Sequence, residues 1–319
     1  MTRIAILSNA HSRRNQRDLP AIERLLAEFP DVAHQSFRHI EAMPQAVAAL
    51  AKGGAEHLII NGGDGTAQAV LGELLERSPF KATPRVTLIG GGMTNVIAHD
   101  VGVPAAPVDA LRRVLSRTRN GHAPDVLRRT TIAVKRGGQN RTEYGFLAGA
   151  VGFYQGTRLT RRDMHRVGFR QSLATKVGIA WSVVRLLLHG EGERSGLHGE
   201  RVSIGLDGAP PQEAPYLFIL ATTLERMMPG VMPFWGHDHG AIKLTTIPSP
   251  AHGFGRAALP VVRGRPRPWM RNAGYASTRA DRISLCLKSP LVMDGEVLDP
   301  GPHGHIELSA GPIVEFYRY

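Results

Sequence analysis

The chain has 319 residues, of which 42% are hydrophobic and 6% aromatic. That excludes wholesale disorder and suits two domains of the usual ~100–200 residues each. Its single cysteine, Cys286, excludes an internal disulfide and a multi-cysteine zinc site. With 39 Lys and Arg against 27 Asp and Glu, the net charge of +12 attracts polyanions: nucleotide phosphates, nucleic acid or an anionic membrane face.

The apolar run after Met1 is too short for a signal peptide. The longest apolar stretch, near Val177–Leu188, is broken by Ser182 and Arg185 and falls short of the ~18–20 residues of a membrane span. A soluble or peripheral protein, cytoplasmic and peripheral at the inner membrane face, is expected.

The first ~120 residues alternate strand and helix, the pattern of an α/β layer structure. Arg3–Asn9 reads as a buried parallel strand, Leu19–Phe29 as a helix, Val32–Phe37 as a strand and Gln45–Ala51 as a helix. His57–Asn61 is a strand running into glycines, followed by a helix over Thr66–Leu75. Val86–Ile89 is a second such strand, and Val108–Leu115 a further helix. Beyond Asp125 short β-like runs recur between glycines and prolines: Thr130–Val134, Tyr144–Ala148, Arg201–Leu206, Tyr216–Ala221, Ala241–Thr246, Ile283–Leu287, His305–Leu308 and Ile313–Tyr317. A mostly antiparallel second domain follows. Arg161–Leu188 interrupts it as a basic helical segment, and Arg263–Met270 reads as a loop.

Two glycine-rich segments carry chemistry. Asn61-Gly62-Gly63-Asp64-Gly65-Thr66 lies between a strand and a helix. Glycines there let backbone N–H groups close on phosphate oxygens, and the helix N-terminus adds partial positive charge. Asp64 is a carboxylate able to hold Mg²⁺; the bland alternative is a tight turn with Asp64 or Thr66 as helix cap. Gly90-Gly91-Gly92-Met93-Thr94-Asn95 repeats the arrangement. Two such loops at the carboxyl ends of neighbouring strands face one crevice, where open α/β sheets bind nucleotides. A third segment, Met293-Asp294-Gly295-Glu296, reads on spacing alone as a hairpin turn. If it lies on a strand, Asp294 and Glu296 point to the same side.

Together, Gly62–Thr66, the second glycine loop and the late Asp-Gly-Glu resemble the diacylglycerol kinase catalytic-domain family. That family includes bacterial lipid kinases and the sphingosine and ceramide kinases. The resemblance covers most of the chain in order and approximate spacing. It implies an α/β nucleotide-binding domain with a parallel Rossmann-like sheet over 1–125. A mostly antiparallel β-sandwich over 126–319 follows, with a helical insert at 158–190 and a last strand that often returns to the first domain. This is the NAD kinase/diacylglycerol kinase-like fold. The function implied is ATP-dependent phosphorylation of a neutral lipid hydroxyl, in diacylglycerol or a ceramide or sphingoid lipid, with ATP and Mg²⁺ as cofactors. By the same resemblance Asn9, Asn61, Gly62, Gly63, Asp64, Gly65, Thr66, Gly91, Gly92, Thr94 and Asn95 hold the nucleotide. Asp64 and Asp125 serve the metal, Asp294 is the general base and Glu296 its acidic companion.

Departures mark a divergent branch. The first loop reads Asn9-Ala10-His11-Ser12-Arg13-Arg14-Asn15 where the family has Pro and then Ser-Gly. Val96 stands at an acidic position, with Asp100 as a substitute charge one helical turn on, and Lys243 replaces a late aspartate. An NAD kinase is the nearest rival; a catalytically inactive lipid- or nucleotide-binding protein is another. No nucleic-acid signature accompanies the charge. The pairs His237/His239 and His303/His305 lack acidic or cysteine partners at suggestive spacing and read as loop surface. Arg128, Arg129, Lys135 and Arg136 read as solubilising charge. Arg161–Leu188 and Arg263–Trp269 are candidates for contact with an anionic membrane surface, or else solvated faces.

Overall fold

The computed structural model describes residues 3–92, 95–139, 141–167, 192 and 196–319. Two units emerge, Met1–Arg129 with Pro312–Tyr319, and Thr130–Gly311. The chain therefore passes from one unit to the other twice.

The first unit alternates β1 (Ile4–Asn9), α1 (Asn15–Leu26), β2 (Ala33–Phe37), α2 (Met43–Lys52), β3 (His57–Gly62), α3 (Asp64–Glu76), β4 (Arg85–Gly90), α4 (Val96–Val101) and α5 (Pro107–Arg119). All its strands pair in parallel, in the order β2-β1-β3-β4, with Ile6 opposite Ile59 and Ile59 opposite Thr87. Helices cover both faces, which is why β1 and β3 read as unbroken apolar runs. Ile22 and Leu25 of α1 and Leu111 and Val114 of α5 pack on Ile6, Ile59 and Ile89. The helix α2 packs against α3, burying Val47, Val70 and Leu71. Pro312–Tyr319 adds one more parallel edge, Phe316 opposite Val86.

The second unit holds most of β5 (Asp125–Arg136), then β6 (Thr142–Gly145), β7 (Leu147–Val151), α6 (Gly152–Val167), β8 (Glu200–Leu206), β9 (Gln212–Thr222) and β10 (Ile242–Pro248). There follow α7 (Phe254–Val262), α8 (Pro268–Asn272), β11 (Ala276–Ala280), β12 (Arg282–Cys286), β13 (Leu291–Met293), β14 (Glu296–Leu298) and β15 (His305–Arg318). Its pairings are antiparallel. The first half of β9 pairs with β8; the second half lies between β7 and β10. One core joins Ile132, Ala150, Val202, Ile219, Ile283 and Ile306; a second sits under α7 and α8.

Five expectations change. Tyr144–Ala148 is two strands, β6 and β7, with Phe146 between them. The two last β-runs are one strand, because Gly311 and Pro312 continue the extended backbone of β15. The stretch Arg263–Met270 is not all loop: Pro268 opens α8, and Met270 is buried. Neither α7 nor β11 was foreseen, since α7 is short and carries Pro260, and β11 is half polar. The predicted basic helix starts earlier than Arg161, in α6 from Gly152, and its part beyond Val167 lies outside the described residues. Among the described residues no helix is long and apolar enough to cross a membrane.

Candidate active site

Three loops follow the carboxyl ends of β1, β3 and β4 in the first unit. Asn9 closes the first loop with its Oδ1, which accepts the His11 N–H at 2.9 Å. Its Nδ2 donates to Thr66 Oγ1 at 2.8 Å, so the first loop is tied to the first turn of α3. Asn15 is fully buried, and its Nδ2 donates to the carbonyls of Asn9 at 2.9 Å and Asn61 at 3.0 Å. The Arg14 N–H donates to the Gly91 carbonyl at 3.1 Å. Asn15 was missed in the sequence. Its place on the helix face of Ile22, seven residues on, marks it as inward-facing but not as part of a site.

The second and third loops touch backbone to backbone. A Cβ on Gly92 would lie 2.5 Å from the Gly63 Cα, and one on Gly62 would lie 2.6 Å from Thr66. The Gly91 N–H donates to the Gly62 carbonyl at 2.8 Å. Asp64 joins the loops from the other side: its Oδ2 and Oδ1 accept the N–H groups of Val96 and Ile97, each at 3.0 Å. The departure from an acidic side chain at Val96 leaves this link whole, because position 96 contributes its backbone. Asn95 holds the left-handed backbone, φ +51°, and its amide closes on Gly92 N–H and O at 2.9 and 3.0 Å. Gly65 lies in the first turn of α3; Thr94 lies outside the described residues.

Between the loops, the Oδ1 atoms of Asn15 and Asn61 are buried and have no hydrogen-bond partner. Both point at Gly91, whose Cβ, if it had one, would lie 3.0 and 3.1 Å from them.

Two further acidic candidates of this unit have arginine neighbours. Asp100 is not a substitute charge for position 96: its buried carboxylate takes Arg129 Nε at 2.7 Å and Nη2 at 3.0 Å. Arg129 is accordingly a structural ion pair and not a solubilising charge; Arg136, on Glu143 at 2.8 Å, is another. Asp125 is exposed and 3.5 Å from Arg318. At the opposite end of β3, His57 is buried, and burial lowers its pKa to about 4.

In the second unit Asp294 and Gly295 form the two-residue turn of the β13–β14 hairpin, with φ +49° and +99° and Met293 opposite Glu296. Asp-Gly suits that turn because both central residues need positive φ. The expected strand alternation of Asp294 and Glu296 therefore does not apply, and Glu296 is exposed. The turn also aims the Asp294 carboxylate inward, where it accepts the N–H groups of Phe146 at 2.8 Å and Leu147 at 3.0 Å. A Cβ on Gly145 would lie 2.5 Å from Asp294 Oδ2. Lys243 is buried too, its Nζ donating to Leu224 O at 3.0 Å and Glu225 Oε1 at 2.7 Å. Among the described residues no group of three or more His, Cys, Asp and Glu side chains could hold a metal ion.

Residues 3–123 match the diacylglycerol kinase catalytic domain. No curated protein sequence matches the chain. Among solved structures the chain is similar to a candidate diacylglycerol kinase from Bacillus anthracis str. Sterne, at 15% identity and TM-score 0.67, covering 100% of this chain and 97% of that one. It is similar also to a diacylglycerol kinase from the same organism, at 15% identity and TM-score 0.61, covering 99% and 96%. These likenesses establish the fold: an α/β unit with a parallel sheet and an antiparallel β unit. The match to the diacylglycerol kinase catalytic domain covers residues 3–123, nearly all of the α/β part of the chain.

Proposed function

We propose that the protein is an ATP-dependent lipid kinase that phosphorylates the hydroxyl of a neutral lipid, of diacylglycerol or ceramide and sphingoid type. The observation that carries this reading is the backbone contact of the two glycine loops, Gly63 against Gly92. Side chains are excluded there, so a phosphate group can approach the main chain at the N-terminus of α3. The family match over residues 3–123 supports the same reading.

Phosphoryl transfer asks the protein mainly for position and charge stabilisation. Asn9, Asn61, Gly62–Thr66, Gly91, Gly92, Thr94 and Asn95 are proposed to hold the nucleotide. Mg²⁺, when bound with the nucleotide, neutralises phosphate charge. Asp64 and Asp125 are the carboxylates proposed to hold it, a donor set that suits an ion which takes one or two carboxylates beside phosphate oxygens. Each Asp64 oxygen accepts one N–H, which fixes the carboxylate at the start of α3. A lipid alcohol is a poor acid, so a carboxylate must take its proton as the new bond forms. Asp294 is proposed for that role, since two N–H donors fix its carboxylate, and Glu296 as its companion.

Radiolabelled ATP offered with a panel of lipids and with NAD tests the reading. Label should appear in a phosphorylated lipid and not in NADP. Label in NADP alone, or in neither, would overturn it.

A further inference from the structure

The 42 residues from His239 to Ala280 contain no Asp or Glu. Within them α7, the turn after it and α8 form a helical hairpin whose inner side is apolar. Phe254, Ala257, Val261 and Met270 are buried in one cluster. Its outer side is basic: Arg256, Arg263, Arg265, Arg267 and Arg271 are all exposed, and none makes an ion pair among the described residues. Exposed arginines usually find acidic neighbours in a protein with mixed surface charge; here the sequence supplies none nearby.

Two apolar features sit within the same basic surface. Leu259 on α7 is 56% exposed. Trp269 is half-buried, edge-on to Tyr275 at 6.1 Å, and the Arg256 guanidinium lies over its ring at 5.5 Å. Arginines around a protruding leucine and a tryptophan match a surface that offers phosphate and hydrocarbon together. A bilayer offers both at one boundary, whereas a nucleic acid must be unstacked before an apolar wedge can enter it.

We infer that the α7–α8 hairpin of the second unit is a docking face for an anionic lipid bilayer. The inference rests on the lipid-kinase reading for its purpose, since that substrate lives in a membrane, but not for its physics. Electrostatic attraction brings the arginines to anionic headgroups, and Leu259 enters the headgroup boundary.

Co-sedimentation of the full chain with phosphatidylcholine vesicles, with and without phosphatidylserine, tests it. Wild type should prefer the anionic vesicles, and binding should fall as salt is raised beyond ~0.1 M, where the Debye length is ~10 Å. Each arginine near an anionic surface is worth roughly fivefold in affinity. The combined variant Arg263→Glu, Arg265→Glu, Arg267→Glu should therefore bind at least ~100-fold more weakly. Leu259→Asp alone should weaken binding with every arginine in place, and it stands as the test should the triple variant fail to fold. Wild-type binding by a folded triple variant overturns the inference. So does duplex DNA that displaces vesicles while Leu259→Asp binds them normally, since the face then reads phosphate alone. Turnover of a short-chain, water-dispersed diacylglycerol separates the two readings. Vesicle binding without turnover of any lipid sinks the kinase and leaves the docking face standing; turnover without vesicle binding does the reverse.

Discussion

Gly91 leaves little room for a side chain. Its missing Cβ would press on two amide oxygens, 3.0 and 3.1 Å away, and neither amide is free to swing. Asn15 is held by two backbone carbonyls, and Asn61 donates to Ser8 Oγ at 3.3 Å. Gly91→Ala should cost about 1–3 kcal/mol of stability and weaken ATP binding, measured by urea denaturation and calorimetric titration. An unchanged variant would mean that the loops have slack the geometry denies. Asp294 gives the second prediction at this scale. Asp294→Asn preserves the turn, because asparagine tolerates positive φ. It removes the proton acceptor and leaves a single oxygen for two N–H donors. Turnover should fall at least ~100-fold, with ATP affinity largely kept; near wild-type kcat would remove Asp294 from the reaction. The glycines and Asp294 were legible because their chemistry is local, a turn with fixed residue types. Asn15 was not, because its partner Asn61 is 46 residues away and only folding brings them together.

At the scale of elements, α4 is a short helix whose two ends are both held by charge. Asp64 takes its first N–H groups, and Asp100, near its other end, is locked to Arg129. The Asp100 side chain has no exposure and that of Arg129 has 15%, so removing one partner strands a charge. Arg129→Met should cost about 3–5 kcal/mol, seen as a lower urea midpoint. Adding Asp100→Leu should recover much of that loss, because no buried charge is left unpaired. A single variant as stable as the double would show that the pair is not desolvated. Strands flanked by helices were readable from unbroken apolar runs, as in β1 and β3. The short α7 and the half-polar β11 were hidden, because neither buries enough side chains to print a period. The β13–β14 hairpin shows the opposite case: the turn chemistry was plain, but its inward-facing carboxylate depends on β7, which the sequence does not place.

Across the whole molecule, the first unit is finished by a segment from the far end of the chain. Thr87 Oγ1 donates to the Tyr317 carbonyl at 2.9 Å, and Thr118 donates to Tyr319 Oη at 2.9 Å. Thr87 has then spent its hydrogen, so His57 Nε2, 2.8 Å away, is the donor to it. The ring is neutral, and its buried Nδ1 has no partner. Because burial lowers the pKa of His57 to about 4, the unfolded chain takes the proton first as pH falls. The neutral native ring therefore favours stability fully above pH ~6.5, and that contribution is lost as pH drops from there towards ~4. Urea unfolding across this window should show a decline of about 3 kcal/mol, flattened in His57→Leu. An equal decline in that variant would assign the effect to other groups. No local pattern could have announced this clasp, since His57 and Tyr317 meet only when the last strand returns.

That return also sets an order of assembly. A ribosome makes residues 1–129, then all of 130–311, and only then the strand that carries Phe316 to Val86. The second unit is a single uninterrupted segment and can close while synthesis is under way. The first must wait, its β4 edge unpaired, until the whole of the other has emerged. The unit that holds the matched residues 3–123 is thus begun before the other and completed after it.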